Sequence, residues 1–140
     1  MSSSSRTAFS STEGADLMTT TTLTTREAVA ELVNGVLSGK AMEMFDRFYA
    51  EQVSMQENNN EPTVGKAANR AREEKFFGSL EAFHGGSAPV VLVDGDRAMI
   101  NWVFDVTFKG GGRVTMDQVA VQQWQDGQIV SEKFYYDTAS

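Results

Sequence analysis

From Thr25 onward the chain places apolar residues at helical spacing. In TREAVAELVNGVLSG, Ala28, Leu32 and Val36 recur every fourth position beside Val29, Val33 and Leu37, which lays an apolar stripe along one side of a helix. Thr24 or Thr25 can cap its start, Glu27 sits where a carboxylate favours the helix dipole, and Gly39 is a natural stop. After a short break KAMEMFDRFYAEQV repeats the pattern with Met42, Phe45, Phe48 and Tyr49, so the two segments predict a helical hairpin. Residues 53–57 read as a short strand. MQENNNEPTVG follows, and its three asparagines, Pro62 and Gly65 suit turns and left-handed backbone. A third helix is expected over 66–83, with Arg70, Arg72, Glu73, Glu74 and Lys75 on its wet side and HGGSAP at its end.

Beyond it the period changes. APVVLVDGDRAMINWVFDVTFKGGGRVTMDQVAVQQWQDGQIVSEKFYYD holds four runs rich in Val, Ile, Phe, Tyr and Trp, separated by DGD, KGGGR and QDGQ. Asp-Gly is a hairpin signal, because a type I′ turn needs positive φ at both central positions. Helices first and an antiparallel meander second make an α+β architecture.

Strand alternation then selects candidate site residues. A KGGGR hairpin symmetric about Gly111 sets Asp105 opposite Asp117, Val103 opposite Val119 and Asn101 opposite Val121. A turn at Asp126 and Gly127 sets Phe134 opposite Val119, Tyr136 opposite Asp117 and Glu132 opposite Val121. Asn101, Val103, Asp105, Asp117, Val119, Val121, Phe134 and Tyr136 then share one face, apolar in the middle and polar at one end, which suits the wall of a small-molecule pocket. The opposite face carries Ile100, Trp102, Phe104, Val106, Met116, Ala120 and Trp124, with Gln118 and Gln122 among them. Two readings of Asp105 and Asp117 follow. As facing carboxyls in a pocket they could not both ionise cheaply, and one would become a poised acid or base; at the rim of the sheet they would sit in water, paired with Arg113 or Lys109. Glu57 shares a side of its strand with Met55 and either projects into the pocket or belongs to a solvated turn. His84, the only histidine, falls at the expected end of the third helix, where a capping role outweighs catalysis.

Composition narrows the classes. With 140 residues and 41% hydrophobic content the chain suits one domain with a core. A net charge of −7 argues against a nucleic-acid partner and against anionic membrane surfaces. The absence of cysteine removes thiolate nucleophiles, disulfides and cysteine-based zinc sites, and no acidic run has calcium-loop spacing, so no metal and no cofactor is expected. KGGGR joins two strands and lacks the strand-to-helix context of a phosphate loop. Residues 1–24, dominated by Ser and Thr, read as a flexible tail, or as an arm held by a partner subunit through Phe9, Leu17 and Met18; residues 25–140 form the domain. With no apolar leader core and no run near the ~20 apolar residues of a membrane span, the chain is expected to be soluble and cytoplasmic.

The order of elements, with MQENNNEPTVGKAANRAREEKFF and DQVAVQQWQDGQIVSEKFYYD as its most specific stretches, resembles the SnoaL-like family of the nuclear-transport-factor-like superfamily over residues 25–138. The resemblance implies a curved sheet wrapped as a cone around three N-terminal helices, an apolar pocket inside it, and homodimers through the outer sheet face. It also implies either cofactor-free proton-transfer chemistry on a small, mostly apolar organic molecule (isomerisation, cyclisation or dehydration) or a ligand carrier without catalysis. Asp105 and Asp137 resemble catalytic aspartates of this superfamily's enzymes, whereas Val103 stands where its epoxide hydrolases have Arg. In that reading Asp105, Asp117 or Asp137 is the base, with Tyr136 and Asn101 polarising a carbonyl.

Overall fold

The computed structural model describes residues 23–137; of the tail read over residues 1–24, residues 1–22 lie outside them, and Thr24 is the N-cap of the first helix. Two helices, α1 (Thr25–Leu37) and α2 (Ala41–Phe48), precede β1 (Tyr49–Glu57), the short β2 (Thr63–Val64) and α3 (Lys66–Gly78); β3 (Leu80–Asp94), β4 (Arg97–Phe108), β5 (Arg113–Gln125) and β6 (Gln128–Tyr135) follow. The six strands form one open sheet in the order β2-β1-β6-β5-β4-β3. It is mixed, because β1 runs parallel to β6 while every other pair is antiparallel. This is the α+β cone expected from the sequence.

Thr24 closes a capping box on α1, its hydroxyl accepting from the Glu27 amide while its own amide donates to the Glu27 carboxylate. Val29 and Leu32 of α1 and Phe45 and Phe48 of α2 bury against Val53, Met55, Ile100, Trp102, Ala120, Trp124 and Ile129 on the helix-facing side of the sheet. Two boundaries differ from the sequence reading. The second helix stops at Phe48, not at residue 53, because Tyr49 already pairs with Ile129 across the parallel ladder. The third stops at Gly78, not at residue 83: Ala82, Phe83, Gly85, Gly86 and Ser87 pair with β4 through irregular registers. His84 therefore lies on a strand, bonded to the Thr107 hydroxyl, and caps no helix. In both places ladder hydrogen bonds to a neighbouring strand outweigh local helix propensity.

MQENNNEPTVG is a shaped loop. Asn58 takes left-handed backbone (φ 52°), its amide donates to Phe134 O, and its side-chain oxygen accepts from the Tyr136 amide at 3.1 Å. The Asn59 side chain accepts from Lys133 Nζ, and Asn60 O from Gln56 Nε2. Buried Asn69 then donates to Thr63 O and Gly65 O, tying the start of α3 to the loop.

Registers decide which side chains look inward. The β4–β5 hairpin is offset by two residues from the symmetric count: Asp105 faces Thr115, Val103 faces Asp117 and Asn101 faces Val119, so Asp105 and Asp117 are not opposite one another. A two-residue offset leaves each side chain on its expected face. The β5–β6 pair behaves differently. Beside the turn Gln125 faces Gln128 as a symmetric hairpin requires, but between Trp124↔Ile129 and Gln123↔Ser131 the register slips by one residue. Beyond that bulge Gln122 faces Glu132 and Ala120 faces Phe134, so Glu132, Phe134 and Tyr136 turn to the helix side, away from the face first assigned to them.

Candidate active site

Between the helices and the inner sheet face lies a cavity of about 550 Å³. Its apolar wall includes Leu32 of α1, Phe45 of α2, Phe76 of α3, Trp102 and Phe104 of β4 and Phe134 of β6. Trp102 and Phe104 stack with ring centres 5.5 Å apart.

Within this wall stands Glu132, 2% exposed. The Tyr49 hydroxyl donates to one carboxyl oxygen at 2.5 Å and Gln122 Nε2 to the other at 2.7 Å. Gln122 cannot turn over, since Trp124 Nε1 donates to its side-chain oxygen at 2.9 Å. Phe45 stacks on Tyr49 at 4.5 Å and holds the phenol in place. Burial pushes the Glu132 carboxyl up to about 7, against the lowering effect of the Gln122 and Tyr49 hydrogen bonds and with a small addition from Glu73. The Tyr49 phenol is driven well above its ordinary range, first by burial and then by the neighbouring carboxylate. A second carboxyl, Glu73 of α3, also lines the cavity. Burial raises it to about 7, with Arg72 opposing and Glu57 adding to the rise.

A third group ties the rim. Glu57 accepts from the Tyr136 hydroxyl and from Arg72 Nη2, both at 2.5 Å, joining β1, α3 and the residue after β6. The hydrogen bond to Glu57 holds the Tyr136 phenol up to about 12.

Of the residues selected by strand alternation, Glu57, Phe134 and Tyr136 line this cavity; Asn101, Val103, Asp105, Asp117, Val119 and Val121 stand on the outer face of the sheet. Arg113 grips Asp105 in a two-pronged pair at 2.9 and 2.7 Å, and that hydrogen bonding holds the Asp105 carboxyl below its ordinary value. The rim reading of Asp105 is therefore the one the structure supports. Asn101 Nδ2 donates to Asp117 at 2.8 Å on that same outer side. Asp137 is exposed just past the end of β6 and is not in the cavity wall. Glu132, Glu73, Tyr49 and Gln122 were not among the residues selected. One signal pointed to them: Gln122 lies between Ala120 and Trp124 on a mostly apolar face, and a buried amide needs partners.

The SnoaL-like domain profile matches residues 23–136, nearly all of the described chain. The protein belongs to the SnoaL-like family. Solved structures agree on the fold. A Mesorhizobium loti protein named for SnoaL-like polyketide cyclases superposes with a TM-score of 0.72 at 29% identity, covering 81% of this chain and 100% of its own. A Xanthomonas campestris protein named for polyketide cyclases gives 0.66 at 20% identity over 81% and 90%. A Catenulispora acidiphila protein with a ketosteroid isomerase-like fold, solved with trimethylamine, gives 0.66 at 15% identity over 81% and 88%. Comparison with curated proteins gives no match. Among the described residues of this SnoaL-like chain no helix is long and apolar enough to cross a membrane.

Proposed function

We propose that this SnoaL-like protein takes a small, mostly apolar organic molecule into the cavity and moves a proton on it through Glu132, without a cofactor. The observation that carries the reading is a carboxyl held near about 7 in an apolar cavity by defined hydrogen bonds. A group poised there serves as a base in one step and an acid in the next. As carboxylate it takes a proton from carbon next to a carbonyl, the electron pair passing to the carbonyl oxygen. As carboxylic acid it returns the proton at another carbon, which is isomerisation, or protonates a leaving hydroxyl, which is dehydration. Glu73 supplies the second proton-bearing group.

The test is exchange of carbon-bound hydrogen in heavy water, followed by NMR over a panel of enolisable ketones and unsaturated ketones. Wild type is expected to accelerate exchange of a bound member, and Glu132→Gln to slow it about a hundredfold or more while still binding the ketone. Asp105→Asn, on the outer face, should match wild type. Full activity in Glu132→Gln would remove Glu132 from the mechanism. A bound panel with no exchange at all would favour the second reading, a ligand carrier of the same fold.

The outer face supports a proposal of its own, a homodimer. Val90, Leu92, Met99 and Tyr135 are all exposed, and Leu92 is 58% exposed. Adjacent registers bring Leu92 beside Met99 and Val90 beside Asn101 into one apolar area. Light scattering is expected to give twice the chain mass of 15.3 kDa, and a value at the chain mass sinks the dimer.

A further inference from the structure

The cavity rim is charged, and its charge bears on what head group a ligand carries. α3 brings Arg72 and Lys75, three positions apart on the helix, to the cavity wall, with Phe76 beside them. Arg72 is answered by Glu57, whose other oxygen is taken by the Tyr136 hydroxyl. The Lys75 ammonium has neither an ion-pair nor a hydrogen-bond partner among the described residues. The remaining cavity carboxyls, Glu73 and Glu132, are held up to about 7 by burial and so are only partly charged at neutral pH. One ammonium is thus left unanswered beside an apolar wall of Phe76, Phe104 and Trp102, in a chain whose net charge is −7.

Resting on the pocket reading above, we infer that the ligand is an anionic amphiphile. Its apolar body lies against the aromatic wall, and a single oxyanion, such as a carboxylate, seats on Lys75 and the remaining N–H groups of Arg72. A neutral ligand gains nothing from the ammonium, and a cationic one is repelled by it. The body needs no charge of its own, because the inner wall is aromatic and aliphatic.

Two fluorescent probes of nearly equal body separate the charge from the cavity: anilinonaphthalene sulfonate and N-phenylnaphthylamine, which lacks the sulfonate. Binding is followed by probe emission and by energy transfer from Trp102 and Trp124, with competition between the probes establishing a shared site. The sulfonate is expected to bind at least about fivefold more tightly than the neutral probe. Lys75→Met should weaken it by about fivefold to tenfold, Lys75→Arg should restore it, and the neutral probe should be indifferent to both. Lys75 is exposed, so neither change threatens the fold. Equal binding of the two probes, or a sulfonate affinity unmoved by Lys75→Met, overturns the anionic ligand and leaves the pocket reading standing. If neither probe binds, the pocket reading falls and this inference falls with it.

Discussion

Between pH 5 and pH 8, chemical denaturation is expected to find the wild-type protein losing about 3 kcal/mol more stability than Glu132→Gln loses. The sign follows from proton counting. Glu132 titrates near its ordinary 4.5 in the unfolded chain and at about 7 when folded. Between those values the folded state holds a proton that the unfolded state has lost, so stability falls as pH rises through the window and the loss is complete above about 7. At 1.36 kcal/mol per pH unit the window corresponds to about 3 kcal/mol. Glutamine stays neutral, so the variant loses the Glu132 share of the slope and keeps the share of Glu73, which burial also raises to about 7 and which titrates in the same window. The ion-paired Asp46 and Asp105 act in the opposite sense, since their lowered values stabilise the fold above the ordinary carboxylate range and lose that effect in acid. Their contribution changes below about pH 4, outside the interval. Equal stability at pH 5 and pH 8 would show that burial does not hold the Glu132 proton, and the proposed base would lose its basis.

Trp124→Ala is expected to cost about 3–5 kcal/mol from the cavity it leaves, and about 1–3 kcal/mol more from the unpaired Gln122 oxygen. Trp124 is 1% exposed, meets Phe48 edge-on at 5.8 Å, and donates to Gln122. A domain of this size has about 5–15 kcal/mol in total, so the alanine variant should be barely folded at 25 °C. Trp124→Phe keeps most of the volume and loses the N–H, which isolates the hydrogen bond at about 1–3 kcal/mol. It also frees the Gln122 amide to turn away from Glu132. That amide favours the charged carboxylate, so the pH midpoint of any exchange activity should move upward in Trp124→Phe. Urea unfolding and the exchange profile test the two halves of this claim. A loss below about 1 kcal/mol in Trp124→Ala, well under the usual cost of an emptied core site, would contradict the packing described here.

The architecture was legible because it rests on local signals. The α1 stripe and its Thr24 cap, the left-handed Asn58, and the Asp126-Gly127 turn with both φ values positive are properties of a few adjacent residues. Strand alternation also sorted β4 and β5 correctly into two faces, since a register offset of two residues changes partners without changing sides. What it did not supply was which face meets the helices, and the apolar content of both faces left that open. Glu57 was reachable because it shares a side of β1 with buried Met55.

The sequence by itself determined that this chain builds helices first and a meander second, with a tight Asp126-Gly127 turn, no cysteine chemistry and a net charge of −7. Only the tertiary structure decided the site. One extra residue between Ile129 and Ser131 turns the far half of β6 over, carrying Glu132, Phe134 and Tyr136 to the helix side. No local pattern announces that bulge, because its stability comes from partners distant in the chain: Gln122 across the sheet, Tyr49 on the parallel strand, and Trp124 behind them. The raised proton affinity of Glu132 has the same origin, since desolvation depends on what packs around a carboxyl and not on the residues beside it in sequence.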